Sequence, residues 1–445
     1  MIYQIARFAE VSTLYEKFHL IYELIAKVQR ELTDYPQVSD AFKKCYPNTL
    51  ETTVKWLTDG TAFVFTGDIP AMWLRDSSSQ VRPYVFLADR DKDVRALVRG
   101  LIRRQANYIL HDAYANAFNE DASGRGHQDQ TVRSPLVWER KFELDSLCYP
   151  LQLCQDYLAA TKDDTLFDET IHQMFWTILH VMRREQRHDR DSSYSFSRVN
   201  CPPSDTLAFG KGTPTNFTGM VWSGFRPSDD ACKFGYLIPS NMFAVVCLSY
   251  VARIAEDIYK DRALSQEANT LRQEIEFGIE TYGVYRDPDL GPVYAYETDG
   301  FGNFNLMDDA NVPSLLAIPY IGYRSVEDPV YRSTRQFVLS HKNPYFFVGQ
   351  EFRGIGSPHT PKDHIWPISL IMQGLTSTDV QEQRDLIQML ISTTAGTGYM
   401  HESFHANDPS HFTRSWFAWA NSLFGQFVLT WLRMEGRFDE EVVST

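Results

Sequence analysis

The chain has 445 residues, 43% of them hydrophobic and 14% aromatic, which supplies a large core and excludes a disordered chain. With 43 Lys and Arg against 57 Asp and Glu the formal charge is -14, and no basic cluster exceeds Arg103-Arg104 or Arg183-Arg184, so nucleic acid is not an expected partner. No run reaches the roughly 20 apolar residues of a membrane span, the start has no signal-peptide pattern, and the six cysteines form no C-x-x-C pair; a cytoplasmic protein with reduced thiols and no membrane partner is expected.

Helical periodicity recurs at about 11–33, 37–58, 76–89, 92–111, 143–160, 165–187, 239–258, 263–281, 309–319, 328–340, 363–375, 379–393 and 411–434. Met242 to Ala252, the best apolar run, reads as part of a buried helix. The alternating runs Ala62–Phe65 and Val293–Tyr296 predict small hairpin strands, and nothing predicts a large sheet. No linker or charge block divides the chain, and the longer irregular stretches (60–75, 113–142, 188–238, 282–308, 341–362, 394–410) fall between helices. An all-α arrangement of paired helices follows, with its loops gathered at one end and its function in those loops.

Chemistry-bearing residues recur in loop after loop. The run Thr66 to Pro83 holds Asp68, Trp73, Arg75, Asp76 and Arg82 without helical or strand periodicity. A sugar offers hydroxyls to Asp and Arg and an apolar C–H face to Trp, so the run suits carbohydrate. The same residues also fit a capped helix start, with Asp76 as N-cap and Asp68 in a Gly-Asp turn. Trp222 to Asp230 repeats the composition with Arg226, Asp229 and Asp230. Neighbouring carboxylates raise one another's pKa, as a general acid needs, although Ser228 or an Asp capping a following helix explains them equally. His401-Glu402-Ser403-Phe404-His405 reads as H-E-x-x-H, a zinc-protease pattern. That chemistry needs a continuous helix, and Gly396, Gly398 and Asn407-Asp408-Pro409 leave room for about one turn. Asp309, His359 and Trp366 stand near further helix starts, while Arg414 and the run Trp138 to Asp145 read equally as ordinary helix ion pairs.

Taken together, T-G-D-I-P-A-M-W-L-R-D at 66–76, W-E-R-K-F-E-L-D-S-L-C-Y-P at 138–150, F-R-P-S-D-D at 225–230, I-P-S-N-M-F-A at 238–244, M-D-D-A-N-V-P-S-L-L at 307–316 and M-H-E-S-F-H at 400–405 resemble glycoside hydrolase family 125, in consistent order from about residue 35 to 434. The resemblance implies an (α/α)6 toroid of about twelve helices as one domain over 35–445; residues 1–34 fall outside it and are expected to form a helical extension packed on the same domain. It implies a metal-independent, inverting exo-α-1,6-mannosidase acting on N-glycan-type oligosaccharides, with neither metal nor other cofactor. It places the general acid in the Asp229-Asp230 pair, at Asp229, kept protonated by its acidic neighbour and burial, and the general base at Glu402. Expected sugar-binding residues are Asp68, Trp73, Arg75, Asp76, Arg226, Asp230, Asp309, His359, Trp366, His405 and Arg414. Another inverting exo-glycosidase of α-glucosidase type, or a glycan-binding protein without catalysis, stays open on the residues alone.

Overall fold

A computed structural model describes residues 17–127 and 129–438; the predicted extension over 1–16 and the last residues, 439–445, lie outside the described residues. The chain is mostly helical with small sheets of two or three strands. Two kinds of helix can be told apart by sequence. Lys92–His111, Glu169–Glu185, Arg262–Tyr282, Pro329–Val338 and Val380–Ser392 are amphipathic, bury one stripe, and each starts on an aspartate (Asp91, Asp168, Asp261, Asp328, Asp379) whose carboxylate accepts from first-turn amides. Such a cap contributes about 1 kcal/mol.

Leu74–Val81, Leu144–Thr161, Ile238–Ile254, Pro367–Leu375 and Ala418–Met434 are buried nearly all round, and each starts on an extended residue (Trp73, Glu143, Leu237, Trp366, Phe417) that makes no side-chain cap. These helices pack on one another: Leu74–Val81 lies against both Leu144–Thr161 and Ala418–Met434, Leu144–Thr161 against Ile238–Ile254, and Pro367–Leu375 against Ala418–Met434. The amphipathic helices flank them, as Arg262–Tyr282 flanks Ile238–Ile254 and Val380–Ser392 flanks Pro367–Leu375. Ile238–Ile254 continues to Tyr259 as a stretch apolar enough to cross a membrane, but 78% of that apolar window is buried inside the protein. His19–Glu31 buries Ile21, Leu24, Ile25 and Val28 and packs on Pro36–Cys45.

Three antiparallel three-stranded sheets sit where the inner helices begin. One joins Met72–Trp73, Ala117–Phe118 and Val137–Glu139, with Trp73 opposite Ala117 and Ala117 opposite Glu139. A second joins Phe304–Asn305, Glu297–Thr298 and Tyr236–Leu237, and a third His364–Ile365, Ser403–His405 and Asp408–Thr413. Strands Ala62–Val64 and Gly291–Tyr294 form hairpins near the predicted positions.

Several expected helices differ. The 309–319 helix is an irregular turn: Pro313 and Pro319 remove amide donors, and the buried Asp308 carboxylate takes the N–H groups of Leu315 (2.8 Å) and Leu316 (3.0 Å). The 37–58 helix breaks at Pro47 into Pro36–Cys45 and Asn48–Thr52, and its end is strand Val54–Trp56. The 76–89 helix starts at Leu74, so Asp76 lies in its first turn and is not its cap, and it tightens to a 3-10 helix from Arg82 beside Pro83. The helices expected from 363 and 411 begin only at Pro367 and Ala418, their leading residues being claimed by the third sheet.

Candidate active site

A cleft opens where Leu74–Val81, Pro367–Leu375 and Ala418–Met434 begin, beside the first and third sheets. It is lined by residues from every part of the chain, among them Asp68, Trp73, Arg75, Asp76, Asp229, His359, Trp366, Glu402 and Arg414. Sequence reasoning placed all nine in the site. Two of the inner helices bring their first turns to this wall, where the positive helix ends favour the carboxylates gathered there.

Arg75 is the hub. Its Nη1 donates to Glu143 (2.5 Å) and Asp145 (3.2 Å), its Nη2 to Asp229 (3.1 Å), and its Nε lies 3.6 Å from Asp76. Burial pushes the Asp76 carboxyl up to about 6, with Arg75 opposing and Asp229 adding to the rise. Glu143 and Asp145 come from the start of another helix, so they are not the ordinary ion pairs within 138–145 that the sequence also allowed.

The loop bearing Asp229 is fixed by its neighbours. The Arg226 N–H donates to the Asp230 carbonyl (2.8 Å) and the Asp229 N–H to the Arg226 carbonyl (2.9 Å), while Lys141 Nζ donates to the Asp229 carbonyl (2.7 Å) and Ser228 Oγ to Asp309 (3.0 Å). Asp229 takes φ 68°, a left-handed conformation that persists only where surrounding bonds impose it. No helix follows this loop, so capping does not account for its acids. The Asp229 side chain is 26% exposed and faces the cleft, whereas Asp230 is 8% exposed and turns back to His359 Nδ1 (3.1 Å). Burial lowers the His359 pKa, but the bond and charge of Asp230, with Asp229 and Glu402, carry it up to about 9.

Asp229 is not held protonated by Asp230. Burial raises its carboxyl, but Arg75, the Glu143 hydrogen bond, Lys141 and His359 outweigh burial and hold it below the ordinary carboxylate range. Its carboxyl partner is Glu143, which burial pushes well above its ordinary value against the pull of Arg75.

Glu402 enters from just before strand Ser403–His405, with Arg414 Nη1 3.5 Å from it and the other Arg414 nitrogen bonded to Asp68. Gly67, at φ 131°, lets the Asp68 loop pass the Trp416 ring, where a Cβ would come within 3.2 Å. The H-E-x-x-H segment is coil and strand, which removes the helical face a zinc site of that type requires. His401 is buried, stacked on Phe412 at 3.9 Å, with its nitrogens at the Arg414 and Thr394 carbonyls.

Four expected sugar-binding residues stand off the cleft lining. Arg226 is buried against Glu297 (2.6 Å), Asp309 and Asp230 are buried behind the loop, and His405 pairs with His364 across the third sheet. In their place Thr66, Ile69, Pro227, Ser228, Asn311, Phe417 and Trp419 complete the wall. Glu143, Asp145, Asn116 and Lys141 behind it carried one signal: Glu143-Leu144-Asp145 opens an otherwise apolar helix, so its acids must be buried with it. Thr66 Oγ1, Trp73 Nε1, Arg75 Nε and Arg414 Nε are buried, have no hydrogen-bond partner and belong to wall residues.

Residues 35–429 match the profile of the family described as metal-independent alpha-mannosidase, glycoside hydrolase family 125. The chain is 37% identical to the meiotically up-regulated gene 157 protein of Schizosaccharomyces pombe, over 95% of this chain and 88% of that one. Among solved structures, a Streptococcus pneumoniae metal-independent alpha mannosidase in a non-productive complex with alpha-1,6-mannobiose is 46% identical, with a TM-score of 0.91 over 94% of this chain and 99% of that one. A bacterial glucoamylase complexed with acarbose, 14% identical with a TM-score of 0.53 over 92% of this chain and 56% of that one, shares the fold alone. On the family profile and the two close relatives, the chain is a glycoside hydrolase and belongs to family 125, the metal-independent α-mannosidases.

Proposed function

We propose that the chain is an inverting exo-α-1,6-mannosidase that removes terminal mannose from N-glycan-type oligosaccharides without a metal. The observation that carries the reading is the pairing of Asp229 and Glu402 in one cleft beside unpartnered polar atoms of Thr66, Trp73, Arg75 and Arg414. The similarity to an enzyme crystallised with α-1,6-mannobiose supports the linkage. Asp229 donates a proton to the glycosidic oxygen as the bond to the leaving sugar breaks, while Glu402 takes a proton from the water that adds to the anomeric carbon. Asp68, Asp76 and Arg414 hold hydroxyls, and Trp73, Trp366 and Phe417 offer faces or edges to the ring C–H groups. Arg226, Asp230 and Asp309 shape the acid loop. The inner and flanking helices form an (α/α)6 toroid over the described residues from 35 to 438, with 17–34 as the described part of an extension packed on it; the family match from residue 35 supports that division.

Release of mannose from α-1,6-mannobiose, measured with and without chelator, tests the reading. Equal rates are expected. Turnover of α-glucosides in place of mannosides, or loss with EDTA that zinc restores, would overturn it.

A further inference from the structure

Around Asp229 the acids outnumber the cations. One guanidinium, Arg75, faces the four carboxylates of Asp76, Glu143, Asp145 and Asp229. Lys141, from the neighbouring segment, spends its hydrogens on the Asp229 carbonyl and Asp205 and lies 3.7 Å from Glu139; His359 is taken by Asp230. Glu402 and Arg414 stand on the other wall. The Asn116 amide has two hydrogens for three carboxylates, at 3.2 Å from Glu139, 3.0 Å from Glu143 and 3.4 Å from Asp229. Glu143 and Asp229 thus share both the Asn116 amide and the Arg75 guanidinium, which sets the two side chains next to each other. Burying all of these carboxylates ionised around one guanidinium is costly, and a proton retained in the cluster relieves it. Of this adjacent pair, Glu143 is fully buried and Asp229 faces the cleft.

We infer that Glu143 is a positioning residue that holds the reaction's proton in the resting enzyme and passes it to Asp229 as Asp229 protonates the glycosidic oxygen. The inference rests on the mannosidase reading. The Glu143 O–H breaks as an Asp229 O–H forms, the Asp229 proton goes to the leaving oxygen, and the C–O bond breaks. Water supplies hydroxide to carbon and a proton to Glu402, which loses it to solvent, and the Glu143–Asp229 pair takes one proton back from solvent. The unit that must be protonated is therefore the pair, and the alkaline limb of kcat/KM reports loss of its last proton.

Glu143→Gln keeps the size and removes the proton store, leaving Asp229 ionised between Arg75 and Lys141. The alkaline limb for α-1,6-mannobiose should move down by about one pH unit or more, with a loss of at least about tenfold at pH 7, while a dinitrophenyl α-mannoside, which needs little protonation, keeps most of its rate. A merely structural role would slow both substrates alike and leave the limb in place, and that result overturns the proposal. A neutron map of the deuterated wild-type protein needs no variant to fold. It should show a deuteron between Glu143 and Asp229, and a map with none overturns the proposal by itself. Wild-type protein that releases no mannose at any pH would instead overturn the mannosidase reading, and the map still judges the shared proton.

Discussion

Replacing Arg75 by Met tests the charge balance of the site through stability. The guanidinium is 3% exposed and touches three carboxylates within hydrogen-bond distance, so the substitution leaves buried acids without their cation. Breaking a buried pair by removing one partner costs about 3–5 kcal/mol. For 445 residues, unfolding entropy at roughly 2.1 cal/mol/K per residue makes that a fall in Tm of about 3–5 °C. The fall should depend on pH. Burial raises Asp76, Glu143 and Asp145 in the folded protein while Arg75 lowers them, so removing Arg75 lifts them further. A carboxyl whose folded pKa exceeds its unfolded value holds a proton that the unfolded chain has lost, so stability falls as pH rises from the unfolded value to the folded one. The variant should approach wild-type Tm near about pH 4 and separate from it by pH 7. Calorimetry across that range reads the difference. A Tm drop that is the same at every pH, or no drop at neutral pH, would refute the argument.

Asp229→Ala should lose most activity on α-1,6-mannobiose, about a hundredfold or more, and far less on a dinitrophenyl mannoside. If Asp230→Ala shows that selectivity instead, the acid is Asp230. Glu402→Gln should slow both substrates alike, because water activation does not depend on the leaving group. In the first minutes of hydrolysis proton NMR should show β-mannose ahead of α-mannose, as one displacement on an α-mannoside requires; α-mannose leading would mean a retaining double displacement. His359 should titrate near pH 9, because its pairing with Asp230 lifts it there. The stability this pairing adds is complete below the unfolded value of about 6.5 and lost as pH rises through 9, so Asp230→Asn should remove that alkaline loss in a thermal scan.

Helix existence was legible because the flanking helices carry a 3.6-residue apolar stripe and an aspartate before it, as Asp91 precedes Lys92–His111. The inner helices were legible only as apolar runs. Their starts were misplaced because the residues before them pair into a sheet: His364–Ile365 joins Ser403–His405 across some forty residues, and Asp408–Thr413 closes a hairpin on the same strand. At 309–319 local spacing favoured a helix, and the buried Asp308 carboxylate favoured a turn by taking two amides. A single sequence does not show which carboxylate will be buried against which amide.

The cleft residues were legible as types, since indole, guanidinium and carboxylate on turn-rich loops seldom serve a core. Their pairings were not. Arg226 and Arg75 look alike in sequence, each between a bulky residue and a run of small or acidic ones, yet one is sealed against Glu297 and the other divides itself among the acids of the cleft. What separates them is where each lies relative to an uncapped helix start. Arg75 is one residue inside the helix that begins at Leu74, and Glu143 and Asp145 flank the start at Leu144. Two positive helix ends and one guanidinium thus meet at a point, and only there can so many carboxylates be buried together. The helix ends that need anions, and the acids that need cations, satisfy each other across the cleft. That mutual need, absent from any local pattern, accounts for the missing Asp caps on the two helices that begin at Leu74 and Leu144.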